Sequence, residues 1–184
     1  AFNYGTAVFE GIRGNWNDDD QTTYLFRLRE HFERLGQSSK ILTLQMHQAV
    51  DQLCEIAVEL VERSGFTEDV YLRPMVYLSS EQLGVRLHNL ESDTLIFLTP
   101  FPAYLPEVAR CHTSTWRRVQ DTGIPPRAKV TGIYVNSALA KSEANANGFD
   151  EAIMLNENGH VSEGSGENIF MVRDGVVVTP PVTE

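Results

Sequence analysis

Residues 50–78 read VDQLCEIAVELVERSGFTEDVYLRPMVYL, and the reading of this stretch decides the fold class. Val50, Leu53, Cys54, Ala57, Leu60 and Val61 recur at the three-and-four spacing of an amphipathic helix. The pattern extends from about Leu44 to Arg63, and Gly65 follows as a C-terminal stop. From Val70 to Leu78 the period shortens to that of a strand, and alternation sends Tyr71 and Arg73 to one face.

Upstream, Thr22 to Phe26 reads as a short strand after a Gly-rich start, and a helix follows over roughly Leu28 to Ser38. Thr94 to Thr99 reads as a strand as well, with loop material between it and Val70–Leu78. Pro100, Pro102 and Pro106 then interrupt the pattern, because proline cannot donate to a sheet ladder. This places a small N-terminal α/β domain at 1–100, a linker at 101–107 and a second domain at 108–184. The second half is strand-rich. Arg110 to Trp116 is a strand, Asn136 to Asn147 a small-residue helix stopped by Gly148, and Glu151 to Leu155 another strand. Asn158-Gly159 and Asp174-Gly175 are hairpin signals. Two helices on one short sheet, then meandering strands, predict an α+β organisation.

The chain has 184 residues, and its net charge of −10 argues against nucleic acid, which requires a clustered basic surface. The acidic run Asp18-Asp19-Asp20 reads as a solvated loop. Cys54 and Cys111 form no CxxC pair; Cys54 lies on the apolar helical stripe and reads as a buried thiol in a reducing compartment. The five histidines show no metal-ligand spacing. No apolar stretch approaches the roughly 20 residues that span a bilayer. The chain opens on Ala1-Phe2-Asn3 without methionine and closes on Pro180-Pro181-Val182-Thr183-Glu184, which reads as a fragment.

Four segments carry candidate chemistry. Lysine is scarce, at Lys40, Lys129 and Lys141. Lys40 and Lys141 sit among helix-forming polar residues, where a solvated amine is expected. Lys129 follows Pro125-Pro126-Arg127-Ala128 and precedes Val130-Thr131-Gly132-Ile133-Tyr134. A nucleophilic lysine must lose its proton, through desolvation or a nearby positive group, but spacing alone reads Lys129 as an exposed loop residue. Ser162-Glu163-Gly164-Ser165-Gly166-Glu167-Asn168 has glycines that let a backbone pass close to a bulky group; by itself it is a polar hairpin connection. Tyr4 to Gly14 carries spaced glycines without the GxGxxG fingerprint. In Tyr71-Leu72-Arg73-Pro74 an arginine beside a tyrosine is able to clamp a carboxylate, or to form a surface ion pair.

Together and in this order these segments, with Phe26 to Leu35, resemble the branched-chain amino acid aminotransferases. These are class IV, D-amino acid transaminase-like enzymes that use pyridoxal 5′-phosphate. The resemblance extends over essentially the whole chain, and Ser162–Asn168 is its most specific motif. It implies the two-domain D-amino acid aminotransferase-like α+β fold (fold type IV) with its C-terminal domain incomplete. It implies that Lys129 is the Schiff-base lysine and shuttles the substrate proton. Glu163 would bond the pyridine nitrogen, Tyr134 the phenolic oxygen and Arg34 the phosphate. Phe9, Gly11, Arg13, Tyr71, Arg73 and Tyr104 would line the substrate pocket, with Arg73 meeting the distal carboxylate of glutamate. Tyr4 and Val85 would serve the site of the neighbouring subunit in a homodimer.

The reaction so implied is ping-pong transfer of an amino group between leucine, isoleucine or valine and 2-oxoglutarate, in a cytoplasmic enzyme. D-amino acid aminotransferases and aminodeoxychorismate lyases share the fold. The Phe9-Glu10-Gly11-Ile12-Arg13 and Tyr71–Pro74 segments favour the branched-chain type over both. A truncated, non-catalytic binding or dimerisation module is the alternative for the isolated polypeptide. A hydrolase using Ser162 or Ser165 with His160 lacks the G-x-S-x-G elbow.

Overall fold

The computed structural model describes residues 3–101 and 104–181. Pro102, in the expected linker, lies outside the described residues. The chain divides into two compact units, one formed by residues 1–104 with 127–132 and the other by 105–126 with 133–184.

The first unit is a sheet backed by two helices. Its central strand is β4 (Val70–Leu78). β5 (Ser92–Pro100) runs antiparallel along one edge, with Val70 opposite Pro100 and Leu78 opposite Ser92. The other edge takes both β1 (Ala7–Phe9) and β2 (Ile12–Asn17). Ala7 faces Tyr77, Phe9 faces Met75, Ile12 faces Leu72 and Gly14 faces Val70, so β1 and β2 share one uninterrupted register against β4. The break at Glu10-Gly11 has a simple cause. Glu10 donates its N–H to the Pro74 carbonyl at 2.9 Å, and Pro74 has no N–H to return. β3 (Thr22–Leu25) closes a hairpin on β2 across the exposed aspartate run.

Burial in β4 alternates strictly. Val70, Leu72 and Val76 turn to the buried side with Val8 and Ile12. The helices α1 (Leu28–Ile41) and α2 (Val50–Ser64) cover that side with Phe32, Leu35, Leu53 and Ala57. The phenylalanine and leucine side chains each contribute on the order of 2 kcal/mol when fully buried. α2 begins six residues later than the periodicity predicts. Residues ahead of it are held by Ser92, whose hydroxyl accepts from Gln45 N at 2.8 Å and donates to Gln45 O at 2.9 Å. Gln52 then receives the Ala49 N–H at 3.0 Å, satisfying one donor at the helix start. At the other end Gly65 takes a left-handed φ of 66° and stops the helix. Cys54 is half-buried rather than buried, and burial pushes its thiol up.

Residues 128–132 join this unit at the free edge of β1. Phe9 donates to Lys129 O at 3.0 Å, Val8 and Val130 form an antiparallel bridge, and Gly132 donates to Gly5 O at 3.2 Å. The Thr131 hydroxyl bonds Gly5 O at 2.8 Å.

The second unit carries β6 (Cys111–Arg117), α3 (Tyr134–Ala146), β7 (Glu151–Leu155) and β8 (Val161–Gly164). β6 and β7 pair in parallel, and β7 and β8 antiparallel. The meander expected from the sequence is therefore broken by one parallel pair, whose connection contains α3. α3 packs on this sheet through Ala140 and Ala144 against Ala152 and Met154. β9 (Met171–Arg173) and β10 (Val176–Val178) form a separate hairpin. Asp174 and Gly175 at its turn both have positive φ, 51° and 78°, as a two-residue I′ turn requires. Lys141 departs from the solvated amine expected of it. It is a quarter exposed and pairs with the buried Glu151 carboxylate, also bonding Asp150 O at 2.7 Å.

Candidate active site

The face of the first unit's sheet turned away from the helices gathers most of the residues singled out in the sequence. Cross-strand partners share a face, so Phe9 with Met75, and Arg13 with Tyr71, point the same way. Gly11 lies between them in the same register, opposite Arg73. Lys129 is held beside Phe9 by the edge pairing, and its Nζ lies 5.0 Å from the Phe9 ring centroid. The Arg73 guanidinium lies over the same ring at 4.3 Å. A cation set on an aromatic face in this way is attracted by the ring quadrupole.

Arg73 donates to the Tyr71 hydroxyl through Nη2 at 2.9 Å and Nε at 3.2 Å. The Tyr71 ring stacks on Phe101 at 5.0 Å, and Phe101 on Tyr104 at 6.5 Å. Arg13 sits 5.7 Å over Phe101 and pairs with Asp69 at 2.5 Å. Gly11 is required by the Tyr71 hydroxyl, since a Cβ there would meet it at 2.2 Å. The surface so formed has three cations, of which Arg13 is paired with the Asp69 carboxylate, and a row of rings. It suits a molecule with an anionic end and an apolar body.

Arg34 lies on α1, toward the helix side of the sheet. The fully buried Glu10 carboxylate receives Arg34 Nε and Nη2, both at 2.6 Å, and lies 2.8 Å from His31 Nδ1. Burial pushes the Glu10 carboxyl up, but the bonds and charges of His31 and Arg34 outweigh it and hold it below the ordinary value. One turn further along α1, Ser38 accepts the backbone N–H of Lys129 at 3.2 Å. The Arg34 side chain is still 56% exposed, and a guanidinium has five N–H donors.

Tyr134 and Glu163 belong to the second unit. Tyr134 opens α3 and is half-buried. Glu163 stands on β8 opposite Met154 and pairs with Arg118 through Oε1. Arg118 Nη1 is buried without a partner among the described residues. Just beyond, Glu151 is held below the ordinary carboxylate value. Burial opposes this, but Lys141, Ser165 and the Ala152 N–H prevail. The neighbouring Glu167 is pushed up by burial and by the Glu151 charge.

Tyr4 and Val85 are exposed, at 45% and 89%, and neither joins the stacked rings among the described residues. Sequence reading overlooked Glu10, His31, Ser38, Phe101 and Arg118. Glu10 carries a partial signal, a carboxylate between apolar neighbours, but Gly11 beside it hides the strand that makes its position inward. Phe101 lies among prolines and has none. Among the described residues no group of three or more His, Cys, Asp or Glu is placed to hold a metal. No helix there is long and apolar enough to cross a membrane.

The family model described as amino-transferase class IV matches residues 7–184. The chain belongs to the class IV aminotransferases. A probable branched-chain-amino-acid aminotransferase of Aquifex aeolicus (strain VF5) is 44% identical over 186 residues, which is 100% of this chain and 60% of that protein. The solved branched-chain aminotransferase of Thermoproteus uzoniensis with norvaline matches with a TM-score of 0.93 and 48% identity, over 98% of this chain and 61% of that one. A T.th. branched-chain amino acid aminotransferase complexed with N-(5′-phosphopyridoxyl)-L-glutamate gives 0.88 and 42%, over 97% and 58%. The α+β, fold type IV expectation is thereby met. The chain spans about 60% of the length of the curated relative it matches.

Proposed function

We propose that the protein carrying this chain transfers an amino group between a branched-chain L-amino acid and 2-oxoglutarate, with pyridoxal 5′-phosphate held on Lys129. The observation that carries the reading is the placement of the Lys129 amine and the Arg73–Tyr71 pair on one sheet face, around the Phe9 ring. Norvaline and a phosphopyridoxyl-glutamate, bound by similar proteins, are molecules of the kind this face suits.

The residues present fit the cofactor by their chemistry. Arg34 is a guanidinium already fixed in a fork, suited to a phosphate. Glu163 has one oxygen taken by Arg118 and a second able to accept from a pyridinium N–H, and Tyr134 is a donor for a phenolic oxygen. The bound cofactor supplies an electron sink for negative charge at the substrate α-carbon.

Lys129 binds the cofactor through Nζ and then carries the proton taken from the α-carbon. The Phe9 ring beneath it excludes water from one side of the amine. Arg73, braced by Tyr71, holds the distal carboxylate of glutamate. When a branched-chain substrate takes its place, Phe9, Tyr71 and Tyr104 receive the apolar side chain, and Gly11 leaves room for both. Arg13, tethered to Asp69, guards the far end of the ring stack. Tyr4 and Val85, exposed in this chain, serve the second subunit of a homodimer in the cytoplasm.

The test compares L-leucine with D-alanine as donors to 2-oxoglutarate in the full-length protein. Initial rates at several fixed second-substrate concentrations should give parallel double-reciprocal lines and turnover of L-leucine only. Turnover of D-alanine in preference would move the protein to the D-amino acid branch of the same fold.

A further inference from the structure

We infer that Glu10 is a positioning residue for the cofactor phosphate, fixing the Arg34 guanidinium before any phosphate arrives. The inference rests on the reading that Arg34 is a phosphate ligand.

The 7–14 strand alternates, so Phe9 and Gly11 face the proposed substrate side while Glu10 turns through the sheet toward α1. Its backbone is pinned by the N–H bond to Pro74 O at 2.9 Å. The side chain is fully buried, in a position whose neighbours Val8 and Ile12 are apolar. Packing alone asks for an apolar residue there, because a buried carboxylate loses its hydration. What the carboxylate does instead is take both N–H groups on one edge of Arg34, each at 2.6 Å, with His31 2.8 Å from Oε2. A bidentate fork of this kind removes the rotational freedom of a long side chain. Arg34 itself remains 56% exposed, so the fork narrows the rotamers open to a side chain that reaches into solvent.

The consequence is a coupling within one three-residue stretch. Phe9 shapes the surface under Lys129, Gly11 admits Tyr71, and Glu10 between them aims the phosphate arm. Orientation in advance raises affinity by lowering the ordering cost at binding.

The test uses the full-length apo-protein and two probes, pyridoxal 5′-phosphate and pyridoxal, which lacks the phosphate. Dissociation constants are read by absorbance titration for wild type, E10Q, R34A and the double variant. In metal sites, removing a partner that orients a binding side chain typically costs about 10- to 100-fold, and the same order is expected for a partner of a phosphate-binding arginine. E10Q should therefore weaken pyridoxal 5′-phosphate by about tenfold or more and leave pyridoxal within about twofold. In the R34A background E10Q should change the ratio of the two constants no further.

An equal loss for both probes would overturn the inference in favour of a purely structural role, and so would an unchanged ratio. If R34A itself leaves the ratio unchanged, the phosphate assignment of Arg34 fails instead, so the two failures are distinguishable. Should E10Q not fold, E10D answers the same question. It keeps the buried charge but withdraws the carboxylate by one methylene, and the pyridoxal 5′-phosphate constant should rise relative to the pyridoxal constant. An unchanged E10D ratio overturns the inference.

Discussion

Replacing Gly11 by alanine should separate substrate recognition from folding. The backbone at Gly11 is not among the positive-φ glycines, so alanine is conformationally admissible there. The obstacle is the Tyr71 hydroxyl. An added Cβ would lie 2.2 Å from that oxygen and 2.9 Å from the ring carbon bearing it, while ordinary contact begins at 3.4 Å. The tyrosine tip must retreat by more than 1 Å. That oxygen accepts Arg73 Nη2 at 2.9 Å, and a shift of this size takes it out of bonding alignment. Hydrogen bonds to charged groups are worth about 1.5–3 kcal/mol. At roughly 1.4 kcal/mol per factor of ten, kcat/KM for glutamate should fall by about 10- to 150-fold. Steady-state kinetics of the full-length protein with glutamate and with leucine would show it, with urea unfolding run alongside. The loss should be smaller in a Tyr71→Phe background, where the nearest clashing atom is gone. Undiminished glutamate kinetics in G11A would refute the reasoning.

Two further predictions concern stability. Leu72→Ala removes a fully buried side chain at the centre of β4, and urea unfolding should show a loss of about 2–5 kcal/mol with unchanged m. Glu167→Gln should act in the opposite direction, and only at higher pH. Its carboxyl is raised above the ordinary 4.5 by burial and by Glu151, so its contribution to stability is present below that value and is lost as pH rises through the folded one. Melting temperatures should therefore coincide at about pH 4 and favour Gln at about pH 8; a lower melting temperature for the variant at the higher pH would contradict this.

How far the sequence could be read depended on whether the local pattern served packing or chemistry. β4 and the end of α2 were legible to the residue, because Val70–Leu78 alternates without exception and Gly65 has the stop conformation. β1 and β2 were not. Glu10 breaks the apolar pattern at an inward position, and Gly11 looks like a turn. Both departures answer a specific side chain, Glu10 bonding Arg34 and Gly11 admitting Tyr71. Tyr71 and Arg73 were placed on one face correctly from alternation alone. Lys129 shows the limit of spacing. Its segment reads as a loop, and only the long-range pairing with β1 puts its amine on the Phe9 ring. Lys141 was misread for the same reason, since Glu151, ten residues away on β7, supplies the counter-charge. Ser38 holding the Lys129 N–H across 91 residues carries no local signal at all.

The central claim is that Lys129 holds the cofactor. The direct measurement is borohydride reduction of the full-length protein loaded with pyridoxal 5′-phosphate, followed by peptide mass mapping. A single pyridoxyl label on Lys129 is expected, with none on Lys40 or Lys141. Label on either of those two, or no label on Lys129 in a protein that turns over substrate, would contradict it.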